Sequence, residues 1–108
     1  MSKTILFGPS GFLGPSILKK YPDIIAIGRN KPPSFCKNKF IKLDSLYNLN
    51  DCSYLKRNKI DYVIFLIGNS NHIALNDINI EIALDYNYEQ LKIALLFFSK
   101  YKIKKFIT

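Results

Sequence analysis

Three glycines, spaced three residues apart, follow directly on a short apolar run near the start of the chain. They are Gly8, Gly11 and Gly14; residues 4–7 before them favour a strand, and residues 12–20 after them favour a helix. Glycine permits a tight strand-to-helix turn, a close approach of phosphate to the backbone, and close helix–strand packing. Unpaired N–H groups at a helix start favour negative charge. In this context the motif predicts a dinucleotide-binding loop; a ligand-free glycine-rich turn is the alternative.

Short apolar strands alternate with helical segments along the whole chain. The predicted strands are residues 3–7, 24–27, 40–43, 62–67 and 105–108, and the predicted helices are residues 12–20, 51–58 and about 80–101. The strands are mostly continuous apolar runs, which is typical of strands buried on both faces. The Pro32-Pro33 pair and the Asn-rich stretches around Asn48 and at 69–79 predict loops.

Strand–helix–strand order with short connections implies right-handed crossovers and a parallel sheet. We therefore predict an α/β fold of the Rossmann-like, three-layer, doubly wound type with about five strands, the first central and the third at one edge. In the last helix an apolar stripe predicts the core-facing side. Its members are Ile80, Ala83, Leu84, Leu91, Ala94, Leu95 and Phe98.

Composition and charge limit the binding partners and the cellular compartment that can be expected for this chain. The chain has 108 residues and a net charge of +8, which suits one domain. Its lysines are spread from Lys3 to Lys105 without regular aromatic interleaving, so a solvated surface is favoured over a nucleic-acid interface. No apolar run approaches the roughly 20 residues that cross a bilayer, so no membrane contact is expected. Cys36 and Cys52 lack metal-ligand spacing and suit thiols in a reducing cytoplasm, with a disulfide as the alternative.

These motifs together resemble the N-terminal half of the extended short-chain dehydrogenase/reductases, the NAD-dependent epimerase/dehydratase family, many of which act on nucleotide sugars. The three glycines match the family's GxxGxxG, and Gly11-Phe12-Leu13-Gly14 matches its GFLG ending. Leu43-Asp44 matches its adenine-contacting aspartate, and residues 61–68 followed by His72 resemble its "DVVFHLAA…H" strand. Asn87 and residues 104–107 resemble its "NVxGTxNLLEAA…VKRFVY" stretch.

The resemblance implies a cofactor site at the carboxyl ends of the strands. Its residues are Gly8, Ser10, Gly11, Phe12, Leu13, Gly14, Arg29, Asp44, Ser45, Gly68, Asn69 and Asn87. His72 is expected to support its loop rather than to act in chemistry. The family's ribose-binding carboxylate is replaced by Gly28, which Arg29 follows. An arginine accommodates a 2′-phosphate, so NADP is favoured over NAD; a solvated Arg29 is the alternative.

The family's catalytic Tyr-x-x-x-Lys pair has no match at its usual place. Residues 88–92 have the spacing but precede the fifth strand, so no catalytic residue is assigned. We expect residues 1–108 to be a single NAD(P)-binding domain that lacks the family's catalytic and substrate-binding part. A non-catalytic dinucleotide sensor or a partner-completed subunit is the alternative. The edge of the fifth strand is expected to pair with another copy, and a nucleotide sugar is expected as a ligand of the complete protein.

Overall fold

Five short strands lie side by side in one parallel sheet. The structure is a computed structural model that describes residues 3–67 and 80–108, with the side chains of the last helix described from Asn87 onward. The strands are β1 (Thr4–Phe7), β2 (Ile25–Gly28), β3 (Phe40–Lys42), β4 (Tyr62–Phe65) and β5 (Lys105–Ile107). Their order is β3-β2-β1-β4-β5, with every neighbouring pair parallel. The predicted doubly wound sheet with a central first strand is confirmed.

Helical elements cover both faces of this sheet. They are α1 (Gly14–Lys20), a 3-10 helix (Leu46–Asp51), α2 (Ser53–Arg57) and α3 (Ile80–Phe98). The prediction of a loop around Asn48 is wrong, because that residue lies in the 3-10 helix. The Ser45 hydroxyl accepts a hydrogen bond from the Tyr47 amide at 3.2 Å and so caps the first turn. Leu46 and Leu49, three residues apart, share one face of the 3-10 turn and are both buried.

The central strand β1 has apolar side chains on both of its faces. Ile5 and Phe7 pack into one core layer, on the side of the 3-10 helix, α2 and α3. Leu6 points the other way and packs with Leu18 of α1 and with Ala26. Burial on both faces explains why the strand is a continuous apolar run instead of an alternating one.

An aromatic cluster joins α3 to the middle of the sheet. The ring of Phe7 lies 5.9 Å from the ring of Phe65 on β4 and 5.9 Å from that of Phe98 on α3, measured between centroids. Phe106 on β5 stacks on Phe65 at 5.9 Å. Tilted and edge-on ring pairs of this kind stabilise beyond the area that they bury. The cluster therefore fills the core between α3 and strands β1, β4 and β5.

The core-facing side of α3 differs from the predicted stripe at two described positions. Leu95 is 45% exposed, whereas Phe97, which was not in the stripe, is buried. Ala94 and Phe98, four residues apart, face the sheet, and Leu95 lies about 100° around the helix from Ala94. The side chains of Ile80, Ala83 and Leu84 lie outside the described residues.

Candidate functional site

The turn that leaves β1 depends on glycine at its first position. Gly8 has a φ of +91°, and it is the one residue with positive φ among those that the structure describes. L side chains rarely adopt this backbone conformation. A Cβ on Gly8 would also lie 3.0 Å from the backbone carbon of Leu66, on the segment that follows β4. Both conformation and space therefore require glycine here.

The third glycine of the motif is closed in by the loop itself. A Cβ on Gly14 would lie 2.4 Å from the carbonyl oxygen of Gly8 and 2.9 Å from that of Pro9. Both atoms belong to the backbone, so no side-chain rotation relieves the overlap. Gly14 thus lets the first turn of α1 pack directly on the loop.

The middle glycine is different, because none of the described residues occupies the space over it. A Cβ on Gly11 would meet only the Gly8 carbonyl oxygen, at 3.6 Å, which is ordinary van der Waals contact. Gly11 is exposed, and its amide donates a long hydrogen bond to the same oxygen, at 3.4 Å. The open surface over Gly11 is therefore available to a ligand, whereas Gly8 and Gly14 serve the turn.

A fourth glycine ends the second strand next to this loop. Gly28 is buried, and a Cβ there would lie 2.7 Å from Cδ of Pro9, which is itself fully buried. The ring of Pro9 thus fills the space into which a side chain at position 28 would extend. The carboxylate that the family carries at this position does not fit unless Pro9 moves.

A cleft of about 430 Å³ opens over the loop at the carboxyl ends of β1 to β4. The predicted site residues that line it are Gly8, Ser10, Gly11, Arg29, Asp44 and Ser45. Lining residues that were not predicted include Pro9, Asn30, Tyr47, Leu66 and Gln90. Polar groups thus converge at the end of the sheet where doubly wound folds bind ligands.

Other predicted site residues lie elsewhere. Of the described residues, Phe12, Leu13, Gly14 and Asn87 do not line the cleft, and the Phe12 side chain is 96% exposed. Gly68 and Asn69 lie outside the described residues, as does His72. Gln90 is three residues after Asn87 on α3, so the two share a helix face. This shared face does not identify Gln90 from the sequence, because Asn87 lies outside the cleft and the position of Gln90 depends on how α3 packs on the sheet.

The polar groups after β3 remain accessible at the cleft. The Asp44 carboxylate lies 3.8 Å from Nζ of Lys42, and both side chains are largely exposed. Such pairs contribute at most about 1 kcal/mol, so the carboxylate is free to accept other hydrogen bonds. The Ser45 oxygen accepts from the Tyr47 amide, and its O–H proton can still be donated.

The Tyr-x-x-x-Lys spacing of residues 88–92 falls within α3. Tyr88 and Lys92 are four residues apart and both exposed, so they share one outward face of the helix. Neither of them lines the cleft described above.

Solved structures with this fold include several dehydrogenases and an epimerase. A monomeric L-threonine 3-dehydrogenase from a metagenome is 27% identical at a TM-score of 0.70, over 95% of this chain and 34% of that one. A UDP-glucose 4-epimerase is 15% identical at a TM-score of 0.76, over 97% and 34%. A short-chain dehydrogenase family protein from Francisella tularensis is 23% identical at a TM-score of 0.59, over 93% and 46%.

The fold defines a Rossmann-like α/β unit, the architecture typical of dinucleotide-binding proteins. The likeness to the L-threonine 3-dehydrogenase agrees with the resemblance to the short-chain dehydrogenase/reductases that the sequence motifs indicate, and the other two likenesses show the shared fold. The chain spans about a third of the length of the first two of these structures. No protein-family model and no curated protein matches the sequence.

The helices that the structure describes are not both long enough and apolar enough to span a bilayer.

Proposed function

We propose that this chain is the dinucleotide-binding part of a protein related to the short-chain dehydrogenase/reductases, with the cofactor held on its GxxGxxG loop. The observation that carries the proposal is the difference between the three glycines. The fold itself requires glycine at Gly8 and Gly14, but the space over Gly11 is open and faces the cleft. A pyrophosphate approaching the backbone there would use that space.

The residues around the cleft suit the other parts of a dinucleotide. Asp44 would accept a hydrogen bond from the adenine amino group, and Ser45 lies beside it on the cleft wall. Ser10 would donate to the phosphates. When bound, the nicotinamide ring supplies or accepts a hydride. These side chains bind and orient the cofactor, and none of them is assigned a proton-transfer role.

The end of β2 supports NADP over NAD. The contact between Gly28 and Pro9 leaves no space for a carboxylate that would accept hydrogen bonds from the ribose hydroxyls. Arg29 is exposed and lines the cleft directly after this position. A guanidinium forms paired hydrogen bonds to phosphate oxygens, so Arg29 would hold the 2′-phosphate that distinguishes NADP.

We further propose that residues 1–108 form one NAD(P)-binding domain that lacks the family's catalytic and substrate-binding part. In a complete protein, hydride would pass between the nicotinamide and a sugar carbon of a nucleotide sugar. The UDP-glucose 4-epimerase likeness supports that substrate class, and the L-threonine 3-dehydrogenase likeness makes an amino acid the alternative. A non-catalytic dinucleotide sensor or partner-completed subunit would share the cofactor site but not the hydride transfer.

The proposal includes self-association and a cytoplasmic location. β5 is an edge strand in the described sheet, and its Ile107 is 43% exposed. Exposed apolar edges favour pairing with another copy. Cys36 and Cys52 are buried free thiols, which supports a reducing compartment.

Replacing Gly11 with valine is expected to abolish most NADPH binding without harming the fold. The Cβ would meet the Gly8 carbonyl oxygen at 3.6 Å, an ordinary van der Waals contact, and the two methyl groups beyond it would extend into the space assigned to the pyrophosphate. We expect the dissociation constant measured by calorimetry to rise about 30-fold or more, or about 2 kcal/mol. Ser16→Val, which places the same isopropyl group at an exposed position of α1, is the control and should leave the dissociation constant unchanged. Equal NADPH affinity in Gly11→Val and the unaltered protein would contradict the proposed site.

Replacing Arg29 with alanine is expected to affect the two cofactors differently. NADPH affinity should fall about tenfold because a charge-assisted phosphate contact is lost, while NADH affinity changes less than about twofold. Lys31→Ala removes a nearby exposed charge that does not line the cleft and is the matched control. If Arg29→Ala weakened NADH and NADPH equally, Arg29 would not read the 2′-phosphate.

A further inference from the structure

A second groove, of about 870 Å³, runs along β3. It shares Leu43 and Asp44 with the cleft over the glycine loop. Its basic lining residues are Lys3, Lys39, Lys42 and Arg57. They come from the start of β1, from both ends of β3 and from the end of α2, so the fold gathers them from distant parts of the chain. None of them was assigned a role in binding the dinucleotide.

Two of these cations lie close to the ring of Tyr54 on α2. Nζ of Lys39 lies 4.7 Å from the ring centroid, and Nζ of Lys3 lies 5.3 Å from the same centroid. The Lys3 ammonium also donates a hydrogen bond to Oδ1 of Asn58. Attraction to the ring orients both ammonium groups and reduces the freedom that they would lose on binding a ligand.

The groove contains more positive charge than its own carboxylates neutralise. Asp44 and Asp51 are its acidic lining residues, and Asp44 lies next to Lys42. Over residues 3–67 and the described side chains of 87–108, the Lys42–Asp44 contact is the one ion pair within 4.0 Å. A concave surface with surplus charge of one sign concentrates the potential and attracts counter-ions.

The remaining lining groups suit an anion with several oxygens. Arg57 presents a planar guanidinium, whose paired N–H groups match phosphate geometry. Ser53 and Asn48 add neutral donors on the same wall. The volume of the groove is in the range of small-molecule sites.

We propose that this groove binds a small phosphate-bearing anion, with Lys3, Lys39 and Arg57 holding adjacent phosphate groups beside Tyr54. The ligand class is a di- or triphosphate, either free or as the tail of a nucleotide. The site is distinct from the glycine loop, and the proposal does not depend on the dinucleotide assignment.

The test is calorimetric titration of the full chain with inorganic pyrophosphate at constant low ionic strength. Lys39→Gln should weaken binding about fivefold or more, because it removes the cation that lies nearest the Tyr54 ring in the groove. Lys39→Arg keeps the charge and should retain most of the affinity. Lys19→Gln is the matched control, since Lys19 also lies over an aromatic ring, Phe35 at 5.5 Å, but outside the groove. It should change the affinity less than about twofold.

The proposal would be overturned by an absence of pyrophosphate binding or by equal weakening in Lys39→Gln and Lys19→Gln. It would also be overturned by loss of binding in Gly11→Val, which would put the anion on the glycine loop. Titrating ATP and tripolyphosphate into the Gly11→Val protein distinguishes a free polyphosphate from the phosphate tail of a nucleotide. Equal affinity for ATP and tripolyphosphate supports a free polyphosphate, and tighter ATP binding that Lys39→Gln weakens supports a nucleotide tail. Tighter binding of a single-stranded oligonucleotide than of tripolyphosphate would instead favour nucleic acid and overturn it.

Discussion

Gly14→Ala is expected to lower the free energy of unfolding by about 3 kcal/mol or more, a large fraction of the total for a chain of this size. The new Cβ would lie 2.4 Å from the Gly8 carbonyl oxygen, so either the loop or the first turn of α1 must shift. Any such shift also strains Gly8, whose φ of +91° sets the direction of the turn. The loss measured by urea denaturation should therefore exceed that of an ordinary surface substitution several-fold.

Gly11→Ala is the matched control for this prediction. It adds the same methyl group to the same loop, but the nearest atom lies at 3.6 Å. We expect its free energy of unfolding to stay within about 0.5 kcal/mol of the unaltered protein. Similar stability for Gly11→Ala and Gly14→Ala would contradict the distinction between an open and an enclosed glycine.

Phe7→Ala is expected to cost about 3–5 kcal/mol of stability, the usual range for removing a buried phenylalanine. Phe7 is 0% exposed on the central strand, and its ring contacts Phe65 and Phe98. Truncation leaves a cavity between β4 and α3 that neighbouring rings fill only in part. The midpoint of urea denaturation should fall accordingly.

The control for Phe7→Ala is Phe12→Ala, five residues further along. Phe12 is almost fully exposed, so its truncation should change the free energy of unfolding by no more than about 0.5 kcal/mol. A large loss in Phe12→Ala, or a small one in Phe7→Ala, would mean that the aromatic cluster does not carry the stability assigned to it.

The sheet could be predicted from the sequence because its rules are local and topological. Strand β1 has apolar residues on both faces, so its composition reveals its central position. The order of the strands follows from right-handed parallel connections, which leave few alternatives. The 3-10 helix was missed because Asn48 and Asn50 dominate its composition, while its burial rests on Leu46 and Leu49.

The sequence predicts only part of the candidate site. The spacing of the glycines identifies the loop, but it does not distinguish Gly11, which is open, from Gly14, which is enclosed. That distinction depends on carbonyl oxygens whose positions only the folded turn defines. Likewise Gln90 reaches the cleft from a distant helix, and its place there follows from how α3 packs on the sheet.

The contact between Pro9 and Gly28 links two positions that are far apart in the sequence. An aspartate introduced at position 28 would meet the Pro9 ring, because even its Cβ would lie 2.7 Å from the proline Cδ. Replacing Pro9 first with a smaller residue would remove that obstacle. Substitutions at positions 9 and 28 are therefore expected to be epistatic, because a side chain at position 28 becomes tolerable only after Pro9 has been replaced.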